Sequence, residues 1–119
     1  MDPLKSSRKA VADADVVAFG GVGIASQILP ETAAYFALAE RAEREPQAVR
    51  PHLDRLLRKA TPAGRVYAAT LLATIDRAAG AAAWQKLVGD RSPVRTMMGC
   101  IAGETTLGEY AERELSRRS

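Results

Sequence analysis

Three features of the sequence predict a mostly α-helical fold, a single compact domain spanning residues 1–119. Ala supplies about one residue in five, and it is the strongest helix former because ordering it costs no side-chain entropy. Apolar residues recur at i, i+3, i+4 and i+7 in several stretches, the spacing that gathers them on one helix face. Alternating apolar and polar runs, which would mark half-buried strands, are scarce, and aromatic residues make up only 5% of the chain.

The elements follow in order. Residues from about Leu4 to Phe19 open with Ala and polar helix formers, then turn β-branched at Val16-Val17 before a glycine-rich break, Gly20 to Gly23. Pro30 suits the first turn of a helix, where its missing N–H is no loss. Tyr35, Leu38, Ala39 and Ala42 give that helix an apolar face, with Glu40, Arg41, Glu43 and Arg44 on a solvated one. Pro46 and Pro51 bracket a break. Pro51 is expected in the first turn of the next helix, because deeper inside it would clash with the preceding turn. Leu53, Leu56, Leu57 and Ala60 form the cleanest stripe, so Leu57 is expected in the core.

Thr61-Pro62 combines a hydroxyl N-cap with proline at the first helical position. It opens a helix with Tyr67, Leu71, Thr74 and Ala78 on one stripe. Gly80 interrupts before a short Ala-rich helix holding Trp84, Leu87 and Val88, with Trp84 as core. Ser92-Pro93 repeats the start signal, and Met97 to Gly103 reads as a loose helix or a short strand. Thr106 and Glu109 form a capping box before a last helix with Leu107, Tyr110, Ala111 and Leu115 inward and a frayed tail from Ser116 to Ser119. The sum is five or six helices in antiparallel pairs, stacked right-handed. At most two short strands are expected, from Val16–Phe19 and Val94–Ile101.

The two start signals suggest an internal repeat. Arg65 and Arg95, Leu57 and Leu87, and Leu71 and Ile101 are each thirty residues apart. The segment from Leu87 to Arg95, with Asp90 in the turn and Val94-Arg95 after it, resembles the turn between paired helices of short bacterial HEAT-like repeats. Thr61 to Arg65 is similar to a degenerate second copy. The resemblance covers roughly residues 50–103, and Gly99 and Gly103 depart from it, since each glycine inside a helix costs about 1 kcal/mol against Ala. It implies a scaffold that binds other macromolecules and supplies no catalytic site.

Charge and cysteine usage narrow the classes. Seventeen basic against fourteen acidic residues give a net +3, too even a balance to mark a nucleic-acid domain by itself. Cys100 is the only cysteine, so no internal disulfide forms and a reducing, cytoplasmic setting is expected. Lys5, Arg8 and Lys9 precede the apolar stretch Val16 to Leu29, but Asp13, Asp15 and the glycines break the pattern of a secretory signal. The stretch is also too short to span a bilayer.

Chemical constellations are sparse. The run from Val16 to Ser26 resembles a strand entering a dinucleotide loop, but the third glycine position is Ser26, Pro30 cuts the helix short and no ribose-binding acid follows, so a glycine turn is the reading. Cys100 as a nucleophile would need an activating base, and the only histidine, His52, is remote in sequence; a buried, inert thiol is expected. His52 is expected on the surface at a helix start. One His and one Cys cannot build a usual zinc site, and no other metal or cofactor is implied. The glutamates lie beside arginines on solvated faces.

The densest basic cluster runs from Arg50 to Arg65. Within it Arg55, Arg58, Lys59 and Arg65 are expected to face one side, either as a solvated face that complements the helix dipole or as a docking patch for an acidic partner. The resulting expectation is a non-catalytic module that binds another protein, as an adaptor, inhibitor or immunity-type protein. Two alternatives stand beside it: nucleic-acid binding through the Arg50–Arg65 cluster, and a small enzyme using Cys100.

Overall fold

The computed structural model describes residues 2–117, and these form six helices and three strands. The helices are α1 (Pro3–Ala12), α2 (Pro30–Arg44), α3 (Pro46–Lys59), α4 (Pro62–Ile75), α5 (Arg77–Leu87) and α6 (Leu107–Arg117). The strands are β1 (Val16–Val17), β2 (Pro93–Met98) and β3 (Ile101–Thr106), in the order β1-β2-β3, with β1 parallel and β3 antiparallel to β2. The mostly helical expectation is therefore met, with a small sheet added at one end.

Helix α4 is the centre of the molecule. Nine of its fourteen residues are buried, and it packs against α1, α2, α3, α5, α6, β1 and β2. A helix apolar on most sides belongs in a core, and the run Val66-Tyr67-Ala68-Ala69 with Leu71-Leu72 has that composition. Its start is built as the sequence predicts: the Thr61 hydroxyl accepts from the Gly64 N–H at 3.1 Å, with Pro62 in the first turn. The same hydroxyl donates to the Ala14 carbonyl at 2.6 Å, and the Thr61 N–H donates to Ala12 at 3.0 Å. One N-cap thus fixes both the helix and the chain leaving α1 toward β1.

Several expectations are corrected. Helix α3 starts at Pro46, and Pro51 lies inside it, in the second turn, where its missing N–H leaves the Gln47 carbonyl without an i+4 donor. On that frame Leu53 and Leu56 are buried and Leu57 is half-buried. Thr74 is exposed and Ala78 belongs to α5. Gly80 does not interrupt a helix. It is buried within α5, where an added Cβ would collide with the backbone of Ala73, so glycine here lets α5 approach α4 closely.

The largest difference is at Ser92-Pro93. There a strand begins, not a helix, and residues 93–106 form a hairpin closed by Gly99-Cys100. Gly99 has a φ of +59°, a left-handed value at the first turn position of the kind that two-residue hairpin loops require. The sheet has three strands, one more than expected, because the turn glycine that argues against a helix is what a hairpin needs. The thirty-residue offset consequently sets Arg65 of α4 against Arg95 of β2. The capping box at Thr106 is half formed: Thr106 Oγ1 accepts from the Glu109 N–H at 3.1 Å, whereas the Glu109 carboxylate takes the Thr105 hydroxyl at 3.2 Å. Of the tail expected to fray, Ser116 and Arg117 continue α6, and Arg118 and Ser119 lie outside the described residues.

Candidate binding cleft

The four basic residues expected to act together are not equivalent. Arg55, Arg58 and Lys59 are exposed on α3. Arg65 is half-buried and committed inside the fold: its Nε donates to the Ala60 carbonyl at 3.1 Å and its Nη1 lies 3.8 Å from the Asp90 carboxylate. Hydrogen bonds from Ser92 to that carboxylate, with the Arg65 charge added, hold Asp90 below the usual carboxylate range. Arg50 is likewise paired, with Asp54 at 3.3 Å and Asp76 at 3.7 Å. A cleft of about 410 Å³ runs between α3, α4 and α5, with Leu57 half-buried in it and Arg58 and Lys86 on its lining.

His52 is half-buried within α3. Arg8 Nη1 lies 3.3 Å from its Nδ1. A guanidinium only donates, so that contact requires a neutral ring with its proton on Nε2. Burial first, then the Arg8 charge, push the His52 pKa below its ordinary value. Cys100 is exposed at the tip of the β2–β3 turn, against the expectation of burial; the hairpin carries it out of the helical layer. No hydrogen bond or ion pair joins it to a base among the described residues, and no cluster of three metal-ligating side chains occurs among them.

The largest concentration of exposed apolar surface is at the sheet end. Residues 16–30 and 96–103 contain no charged side chain, and the fold brings the two segments together. Gly23 N donates to Gly99 O at 3.0 Å, tying the tip of the glycine-rich loop to the tip of the hairpin. Val22 and Gln27 bridge to close a tight turn over Gly23–Ser26, in which Ser26 takes a φ of 51°. Ile24 at that turn is 99% exposed, and Met98 and Ile101 flanking the hairpin turn are 79% and 72% exposed. Side chains this apolar and this exposed, gathered from two segments, are the mark of a contact surface rather than of scattered surface residues.

Beside the tips lies a cleft of about 570 Å³, in the size range of ordinary binding clefts. Thr96, Met98 and Gly103 of the hairpin form its floor, β1 and the loop from Phe19 to Gly21 one wall, and Tyr110 and Arg113 of α6 the other. Alternation along the strands explains the floor: Val94, Thr96 and Met98 share the face on which Val94 is buried, and beyond Val94 the helical layer no longer covers them. The loop wall is anchored from below. Tyr67 Oη accepts from the Ala18 N–H at 2.8 Å and faces the carbonyls of Ala18 at 2.9 Å and Val16 at 3.1 Å, which share its one proton. Thr32 Oγ1 donates to Ala18 O at 2.8 Å. Burial raises the Tyr67 pKa, and Phe19 stacks edge-on against both Tyr35 and Tyr67.

The far wall is equally fixed. Tyr110 stacks on the buried Trp84 with ring centres 5.7 Å apart, and burial pushes its pKa up to about 12, so the phenol stays neutral. No protein-family model, curated protein or solved structure matches the chain. No helix among the described residues is long and apolar enough to cross a membrane. Sequence reasoning missed this site, although its signal was present: the charge-free run from Val16 to Pro30 is too long for an ordinary solvated loop.

Proposed function

We propose that the protein is a non-catalytic, protein-binding module whose contact surface is the sheet end. The observation that carries this reading is the joined pair of charge-free tips, with Ile24, Met98 and Ile101 almost wholly exposed. Interface cores are depleted in charge and enriched in large apolar side chains, and the adjoining cleft offers a pocket for an anchor residue. The helical part, α3 to α5, supplies the rigid support, and the single cysteine suits a reducing, cytoplasmic setting. The test compares proteins retained from native extract by the wild-type chain and by the variant Ile24→Ser/Met98→Ser/Ile101→Ser. A partner held by the first and lost by the second is expected; equal retention overturns the assignment of the surface.

A second reading rests on the cleft between α3 and α5, where Arg58, Lys86 and the ion-paired Arg50 and Asp54 line a groove whose other lining residues are apolar. It makes that groove the docking place of an acidic protein segment. Charge reversal at Arg58 and Lys86 would then abolish retention while the tip variant keeps it. Binding to arbitrary DNA that falls steeply with salt would instead favour the nucleic-acid alternative for the Arg50–Arg65 cluster.

A further inference from the structure

The cleft beside the tips has a polar end. Tyr110 and Arg113 lie three residues apart on one face of α6, and both line it. Arg113 is held from two sides: its Nη2 donates to Thr105 Oγ1 at 2.7 Å and its Nε to the Glu109 carbonyl at 3.5 Å. A guanidinium carries five N–H donors, so three stay free for a ligand. The Thr105 proton goes on to Glu109 Oε2 at 3.2 Å, and Arg113 itself forms no ion pair among the described residues. Glu104 also borders the cleft, but it stands opposite Arg95 in the hairpin, and alternation turns both side chains to the other face of the sheet.

The site is therefore two-ended: an oriented cation and a phenol at α6, and apolar groups at Phe19 and Met98. Charge complementarity asks for a carboxylate at the first end and apolar side chains at the second. A chain terminus supplies both, because its carboxylate sits on the same residue as its last side chain. An internal Asp or Glu would bring polar main chain into the cleft on both sides. Resting on the protein-binding reading, we propose that this cleft receives the C-terminus of a partner polypeptide, its terminal carboxylate on Arg113 and Tyr110 and its last apolar side chains against Phe19 and Met98. Paired N–H donors of arginine suit a carboxylate in bidentate geometry, and capture of a terminal carboxylate is a recurring mode of peptide recognition.

The probe is a pool of octapeptides with apolar residues randomised over the last four positions, prepared both as free acids and as C-terminal amides, and screened against the full chain. Free acids should be enriched at least about ten-fold over amides, since hydrogen bonds to a charged group are the stronger kind. Arg113→Gln should bring that ratio close to one, and Arg113→Lys should retain part of it. Thr105→Val, which keeps the charge and removes its anchor, should lower the ratio less than Arg113→Gln does. Equal enrichment of acids and amides overturns the carboxylate assignment and leaves protein binding standing. No enrichment of either form overturns the cleft as a peptide site, while retention of a partner by the tips is judged separately by Ile24→Ser/Ile101→Ser, which leaves the cleft lining in place. Sodium decanoate displacing the peptides and itself binding with Arg113 dependence would assign the cleft to small apolar acids and overturn the polypeptide ligand.

Discussion

The helical part and the sheet end of this molecule are stabilised by different means. In α3 to α5 the buried side chains include Val49, Leu53, Leu56, Val66, Leu71, Leu72 and Trp84, all apolar or aromatic and packed in and around α4. At the sheet end the apolar side chains Ile24, Met98 and Ile101 are exposed, and the chain is held by backbone hydrogen bonds, turns and the hydroxyls of Tyr67 and Thr32. Burial of apolar area dominates stability, so the first region should carry the fold. The second spends its apolar side chains on the surface, where they contribute little to folding and are free to contact a partner. Substitutions should separate the two regions by size of effect.

The largest loss is expected for Trp84→Ala, about 3–5 kcal/mol, the usual range for a buried aromatic. Trp84 is fully buried and supports the Tyr110 wall of the cleft. Its indole Nε1 has no hydrogen-bond partner among the described residues, so Trp84→Phe removes an unsatisfied donor along with some packing and should cost distinctly less. Urea unfolding of the two variants checks the pair; equal losses would mean that the indole N–H is satisfied after all. Within α3, Leu56→Ala should cost about 2–5 kcal/mol and Leu57→Ala less, because Leu57 is half-buried beside the groove. A reversed order would rotate the helix.

Tyr67→Phe probes the joint between the regions. The ring stays packed, but the Ala18 N–H loses the hydroxyl oxygen that accepts from it, while the Ala18 carbonyl keeps the Thr32 hydroxyl. Leaving a buried backbone group unpaired costs about 1–3 kcal/mol, and the loop from Phe19 to Gly23 should exchange its amide hydrogens faster than in wild type. A stability loss without faster loop exchange would detach the loop from this anchor.

Acid should act on the helical part before it acts on the hairpin. The folded pKa of His52 is lowered, so folding favours the neutral ring. Its contribution is present above the unfolded value of about 6.5 and is lost as pH falls from there through the folded value. The carboxyl of Asp90 is also held low, and its contribution is lost only as pH falls below about 4, the unfolded carboxylate value. Thermal unfolding between pH 7 and pH 5 should therefore decline in wild type and stay flatter in His52→Gln. A decline of the same size in both would assign it to other groups.

Legibility in the sequence follows the same division. The stripe at Leu53 and Leu56 and the Thr61-Pro62 start were readable because a helix declares itself within a few residues. The hairpin was not, because on the face that Val94 buries its strands carry Thr96, Gly103 and Thr105 where alternation would want apolar residues. Ser92-Pro93 is also ambiguous between a helix start and a strand start: proline is tolerated at both. The basic patch was legible as composition only. Which arginines were free depended on Asp90, Asp54 and Asp76, residues brought to Arg65 and Arg50 by local and tertiary pairing. The contact surface required knowing that residues 16–30 and 96–103 meet, and that contact, Gly23 to Gly99, spans more than half the chain.

The smallest effect on stability is expected where the effect on function should be greatest. Ile24, Met98 and Ile101 have little burial to lose, and substitutions at exposed positions away from caps and turn glycines usually stay within about 0.5 kcal/mol. The variant Ile24→Ser/Met98→Ser/Ile101→Ser keeps Gly23 and Gly99 and their hydrogen bond, so both turns retain their backbone. Its urea midpoint should therefore match wild type within about 0.5 kcal/mol, and it should also bind less of a hydrophobic dye such as ANS, because the exposed apolar patch is gone. A large loss of stability would mean that these side chains pack within the chain, and the comparison between a folding core and a contact end would fail. An unchanged stability with unchanged dye binding would locate the accessible apolar surface elsewhere, in the groove between α3 and α5. Only the combination of intact folding and reduced dye binding fits a surface kept apolar for something outside the chain.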